Sequence, residues 1–284
     1  MRGLDHLVLA VRDLDAIEAR YRALGFTLTP RAHHPFGTSN NLAIFDGNFL
    51  ELLGVSAPAK IPEHEAGRFS LGRHTASFLE RGEGLSCIVL DTADARADHR
   101  TFQAAGLATF EPLYFSRGAT QPDGSERTVS FTIAFALPPA PAPVHFVCQQ
   151  RHPPENFWRP EYQRHENGAT QIAEVALRAD RPAALVPFYA ALFGSAAVAE
   201  TGDGLVVGAG RGRISALTSA ALVRRFGLAG AHDGAIVATR FAVSDLSASR
   251  RRLERSGAPL AEADGALRVA PEHAGGALLE FAAR

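Results

Sequence analysis

Cysteine is scarce in this chain: only Cys87 and Cys148 occur among 284 residues, each inside an apolar, strand-like run. Two such residues exclude a disulfide framework and a paired-cysteine zinc motif, and read as buried free thiols. An apolar run long enough to span a bilayer is also missing. Met1 to Asp5 carries charge and leads into a strand pattern, not an apolar leader. Neither sign of charge dominates, since the formal net charge is -1 and the pI about 6.8. No basic field therefore recruits nucleic acid or anionic membrane, and the Arg250 to Arg252 run falls on the solvated face of a helical pattern. No phosphate-binding glycine loop follows a strand and no nucleophile elbow appears; the stretch GAGRGR at 208–213 reads as a hairpin turn. These absences leave a cytoplasmic enzyme or binding protein with a small-molecule substrate. Nucleic acid and membrane are excluded as partners, and homodimer formation stays open.

With 46% hydrophobic and 21% charged residues the chain has the composition of a folded globular protein, and a repeat organises it. Four segments share an apolar run, an aspartate, a helical pattern and a glycine: DHLVLAVRDLDAIEARYRALG, LSCIVLDTADARADHRTFQAAG, IAEVALRADRPAALVPFYAALFG and ATRFAVSDLSASRRRLERSG. From Asp13, Asp94, Asp180 and Asp245 to Gly25, Gly106, Gly194 and Gly257 the spacings are 12, 12, 14 and 12. Aspartate accepts the free N–H groups of a first helical turn. Pro182 suits that turn because it has no donor to lose, and glycine closes a helix in the left-handed region. Short strand patterns follow each helix. In copy one they are Phe26 to Pro30, Leu42 to Phe45 and Phe49 to Val55, with Asp46-Gly47 as a hairpin turn. In copy two they lie near Thr109 to Phe115, Thr128 to Leu137 and Val144 to Gln149; in copy four, Ala258 to Glu262, Ala266 to Val269 and Leu278 to Phe281.

The module is thus β-α-β-β-β, and helices are too few for a doubly wound parallel sheet. The predicted fold class is α+β: four βαβββ modules forming two tandem domains with curved, open mixed sheets. Segment 56–84 interrupts copies one and two, and the Pro138 to Pro143 run reads as an extended hairpin connection. The stretch RHPPENFWRPEYQRHENG divides the chain into a domain over 1–150, a connector over 151–168 and a domain over 169–284.

This repeat, with HLVLAV opening copy one and GNFLELLGV closing it, resembles the vicinal-oxygen-chelate superfamily, which includes glyoxalase I, bleomycin-resistance proteins and extradiol dioxygenases. HHPFGTSNNLAIF, FWRPEYQRHENGA and LLEF resemble a two-domain, glyoxalase-like subgroup. The resemblance covers nearly the whole chain. It implies a divalent metal (Mn, Fe, Ni or Zn) held from the first and last strands of paired modules. Carried over, His6 takes the first-strand position and Glu51 the last-strand position of copy one. In copy two Ser86 stands opposite His6, Val147 falls in the glutamate slot, and His145 lies one same-face step before it. Ala173 and Ala238 fill the histidine positions of copies three and four, and Glu280 matches the glutamate, so the second half lacks a metal set.

Glu51 lies amid Phe49, Leu50, Leu52 and Leu53, and a carboxylate on an apolar strand face needs a cation, a basic partner or water. The metal set implied is His6, Glu51 and His145, with Glu51 also the candidate catalytic base; an arginine pair for Glu51 and a core position for His145 are the bland alternatives. His33, His34, Thr38 and Asn40 crowd one loop, where they line a pocket mouth or simply shape a turn. Trp158, Tyr162, His165 and Asn167 on the connector cover a ligand or seal a contact between the halves. His34, Thr38, Asn40, Ser86 and Trp158 form the candidate substrate set. Three functions follow from the resemblance: a metal-dependent lyase or isomerase stabilising an enolate, a metal-free sequestration protein, and an extradiol dioxygenase. Ser86 speaks against the last, which needs two histidines and a carboxylate.

Overall fold

The computed structural model describes residues 2–63, 65–107, 110–138 and 144–283. Copy one folds as β1 (Leu4–Ala10), α1 (Leu14–Ala23), β2 (Ala32–His33), β3 (Thr38–Ile44) and β4 (Phe49–Val55), and α2 (Leu71–Arg81) follows it. Copy two is β5 (Gly84–Asp91), α3 (Ala95–Ala104), β6 (Leu113–Thr120), β7 (Glu126–Ala136) and β8 (Val144–Gln150). Copy three is β9 (Ala169–Arg178), α4 (Val186–Phe193), β10 (Val198–Thr201), β11 (Gly204–Ala209) and β12 (Gly212–Leu217), trailed by α5 (Ser219–Phe226). Copy four is β13 (Ile236–Val243), α6 (Leu246–Glu254), β14 (Leu260–Ala263), β15 (Ala266–Val269) and β16 (Leu278–Ala283).

Three of the four expected caps form. Asp13 accepts from Ala16 N at 2.9 Å, Asp94 from Arg96 N and Ala97 N at 3.0 Å, and Asp245 from Ala248 N at 3.0 Å. Asp180 does not cap; its carboxylate pairs with Arg178, and the copy-three helix opens through a 3-10 turn over Pro182–Leu185. Gly25 and Gly257 close their helices at φ of 87° and 77°, where a side chain would be strained. The strand expected at Phe26 to Pro30 is absent. That segment makes a backbone bond from Thr29 N to Leu42 O, and pairing begins only at β2. Thr109 and the prolines from 139 to 143 lie outside the described residues. Two helices escaped the reading: α2, capped by Ser70, and α5, capped by Thr218.

Within each module the first strand runs parallel to the last, giving the orders β1-β4-β3-β2, β5-β8-β7-β6, β9-β12-β11-β10 and β13-β16-β15-β14. Modules join in pairs through antiparallel first strands, β1 with β5 and β9 with β13. A single pairing, Ile236 with Leu85, links β13 to β5, so the sixteen strands make one open mixed sheet. Strand pairing therefore changes hands at the connector, but the core does not. Leu7, Leu9 and Leu50 belong to the same buried cluster as Phe241 and Phe281. The Phe26 ring lies 5.2 Å from that of Phe241, and the Asn48 amide exchanges two 3.0 Å bonds with the backbone of Ile172. No helix among the described residues is long and apolar enough to cross a membrane.

Candidate functional site

Alternation along β1 sends Leu7 and Leu9 into the shared core and leaves His6 and Val8 on the opposite, concave face. The concave faces of copies one and two form a cup, and α2 contributes Leu71, His74 and Thr75 to its wall. Empty space of about 640 Å³, open solvent at the mouth included, lies within this wall, of which about 70 Å³ admits the centre of a water molecule. Phe36, Phe49, Phe115, Phe131, Phe146 and Phe157 line the cup together with aliphatic residues and the two cysteines, and His6, His34, Asn40, Glu51 and Arg117 supply polar groups.

Asp5 holds His6 Nδ1 at 2.6 Å, and the opposite ring nitrogen, Nε2, faces Glu51 Oε2 at 3.8 Å. The imidazole lies flat on Phe49, centroids 4.2 Å apart, which fixes its plane. Asn40 Nδ2 donates to Glu51 Oε1 at 2.5 Å, and His34 Nε2 stands 3.8 Å from the same oxygen. His34 Nδ1 lies 2.9 Å from Thr38 Oγ1. Burial, assisted by the Arg117 charge, keeps the His34 imidazole neutral well below its usual range. Glu51 is therefore steadied by an amide and faced by imidazoles; among the described residues no arginine lies within 4.0 Å of it, and Arg117 feels only its charge.

The cup brings together His6, Glu51, His34 and Asn40, but not the rest of the predicted set. His145 belongs to the opposite face of β8, fully buried 3.2 Å from the Tyr189 hydroxyl and against Phe188. The strand register is one residue off the expected one: Val89 pairs with Phe146 as Val8 pairs with Glu51. Phe146, not Val147, therefore fills the glutamate slot, and Val147 joins the shared core. Ser86 sits in a bulge where β5 steps past β1, its hydroxyl 3.4 Å from Val8 O. The bulge passes the inward position to Cys87, whose Sγ lies 3.4 Å from His74 Nε2 and whose thiol burial pushes up to about 12. Thr38 is buried beside His34 and orients it. Trp158 lies one layer out, on Phe49 and Phe157, donating to Gln150 at 2.8 Å. His165 and Asn167 seal the halves: His165 Nε2 donates to Ile44 O at 2.9 Å while Nδ1 accepts from Thr27 N, and Asn167 Nδ2 donates to Leu24 O.

Arg117 on β6 went unread. Alternation with Phe115 and Ala119 on the strand LYFSRGAT was the available signal. Metal donors fall short: His6 and Glu51 converge, but no group of three His, Cys, Asp or Glu among the described residues could hold an ion.

The second pair of modules builds the same concave face with different chemistry. Glu174, not Ala173, holds the inward position in β9 that matches His6, and Ala238 matches it in β13. Glu174 accepts from Arg213 at 2.6 Å, Ser215 at 2.7 Å and Arg225 at 2.9 Å; Glu280 accepts from Arg240 and Arg268. Ala221, Leu222 and Phe226 of α5 pack onto Ala176, Ala238 and Leu278, filling that cup from within the chain.

This paired-module architecture is that of the glyoxalase-like domain. The family model of that description matches residues 4–193, and the chain belongs to the family. A hypothetical protein from Staphylococcus aureus superposes over the full length of both chains with a TM-score of 0.69 at 13% identity. A Mn(II)-bound glyoxalase from Novosphingobium aromaticivorans aligns over 98% of this chain and 81% of its own, with a TM-score of 0.52 at 13% identity. A xylose isomerase-like TIM barrel/4-hydroxyphenylpyruvate dioxygenase fusion protein aligns over 98% of this chain but 48% of its own, with a TM-score of 0.55 at 14% identity. These likenesses establish the fold. No curated protein sequence matches the chain significantly.

Proposed function

We propose that this chain is a glyoxalase-like enzyme that takes a small organic molecule into the first cup and acts on its polar end with His6 and Glu51. The observation that carries this reading is the line Asp5, His6, Glu51 at the polar side of a cavity otherwise walled by phenylalanine. Asp5 fixes the His6 ring, as outer carboxylates do for metal-bound or acid–base histidines, and presents Nε2 to the cavity. Asn40 steadies Oε1 of Glu51 and leaves Oε2 facing His6, so this carboxylate is the nearest base for a substrate proton. The phenylalanine wall excludes water, which strengthens both interactions.

His6 Nε2 and Glu51 are the two donors that the cup would offer a divalent ion, one short of a three-residue set, so water and substrate oxygens would have to complete it. Such an ion, when bound, supplies Lewis acidity toward a developing oxyanion. Metal analysis and thermal melts with Mn, Ni, Zn and chelator test this part. Native protein is expected to bind one ion per chain and to melt higher with it, and Glu51→Gln to lose both the ion and that shift; His6→Ala should lose the ion too, with a further loss of stability because Asp5 and Phe49 lose their buried partner. A metal-free sequestration protein is the second reading, favoured by Cys87 and Phe146 in the copy-two positions that match His6 and Glu51. Native protein that takes up no ion, yet retains an organic ligand unchanged, would decide for that reading.

A further inference from the structure

We propose that Arg117 makes the first cup selective for an organic acid: an anionic group at the arginine, on an aromatic body lying along the phenylalanine wall. This deepens the reading of the first cup as the ligand site and rests on it. Arg117 lines the cavity and is its one arginine; the structure has no lysine there. Its guanidinium donates to the neighbouring Gly118 carbonyl at 2.9 Å, its buried Nε has no partner, and no carboxylate lies within 4.0 Å among the described residues. Elsewhere the fold treats part-buried arginine differently: Arg225, Arg240 and Arg268 all sit on Glu174 or Glu280. Glu51 in the same cavity acts on Arg117 through charge but makes no ion pair with it; a guanidinium so placed is costly to bury, and its flat fork of donors matches a carboxylate.

A second, independent group points the same way. Asn40 is 1% exposed, its Nδ2 is committed to Glu51, and its Oδ1 has no partner. A buried acceptor without a donor is expected to find one in the ligand, so the body of the acid carries a hydroxyl or N–H group. Six phenylalanines among the lining residues favour an aromatic body for the acid.

The test compares 3-phenyllactate, which has an aromatic ring, a hydroxyl and a carboxylate, with its uncharged amide, by calorimetry on native protein and on Arg117→Gln and Arg117→Lys. Native protein is expected to prefer the acid by at least about tenfold. Arg117→Gln should abolish that preference while holding the amide within about twofold, and Arg117→Lys, which keeps the charge but not the fork, should retain part of it. Equal binding of acid and amide by native protein, or an acid preference that survives Arg117→Gln, overturns the role of Arg117 and leaves the cup as ligand site. Failure of both compounds to bind or to shift the His6 and His34 ring resonances overturns the cup reading as well. Should Arg117→Gln fail to fold, Arg117→Lys decides: an acid preference undiminished by loss of the fork refutes the proposal.

Discussion

Replacing Glu174 by glutamine probes the filled cup. Glu174 is 2% exposed and takes hydrogen bonds from Arg213, Arg225 and Ser215, with Arg240 4.0 Å away. Burial pushes its pKa up, but the bonds from Arg213 and Ser215 and the nearby guanidinium charges outweigh that and hold it below the usual carboxylate range. Breaking a buried pair by removing one partner costs about 3–5 kcal/mol. Two facts reduce the figure here. Glutamine keeps one acceptor oxygen, and the Arg213, Arg225 and Arg240 side chains remain 46%, 23% and 29% exposed, so water can solvate them. A loss of about 2 kcal/mol is expected, or roughly 3–4 °C in melting temperature for a chain of this size. The pH dependence fixes the cause. A carboxylate whose folded pKa is depressed contributes stability that is present above its unfolded value near 4.3 and lost as pH falls through the folded pKa. The gap between native and Glu174→Gln melts should therefore be full at pH 7 and shrink below about pH 4. A gap that is absent at pH 7, or equally wide at pH 3.5, refutes the ionic account.

His165 should stay neutral to about pH 4, since burial lowers its pKa and the bond to Ile44 O offsets only part of that. Because the unfolded imidazole takes its proton near 6.5, stability should fall as pH drops from about 6.5 to 4, by at most about 1.4 kcal/mol per pH unit. Ring-proton NMR titration and melts of His165→Leu check this, and a titration near 6.5 in the folded protein sinks it. His145→Ala should cost about 2–4 kcal/mol, from a buried cavity and the lost Tyr189 contact, while metal content and ligand affinity stay native. Loss of either would return His145 to the cup.

Most of the architecture was legible because local signals agree with one another. Asp13, Asp94 and Asp245 each stand where a cap, an amphipathic pattern and a glycine stop fall in register. The errors in the site share one cause: a strand's period is two, so a single-residue shift turns every side chain to the other face. In β8 such a shift made His145 change places with Phe146. The bulge at Ser86 did the same to Cys87, and Glu174 displaced Ala173. Where a tight turn fixes the register, as Asp46-Gly47 does for β4, Glu51 fell on the expected face. Arg117 was missed because an arginine on an exposed-looking strand carries no sign of the cavity behind it, which only the curvature of the sheet creates.

Helix α5 is tethered by one residue to β12 and by nine to β13, so its local concentration at the second cup far exceeds that of any free molecule. A competitor would have to displace Phe226 and Leu222 together with the Arg225 bond to Glu174. The second cup is in effect saturated by its own chain. A titration with any small ligand should accordingly reach one equivalent per chain, with no cooperativity to be found between the two halves.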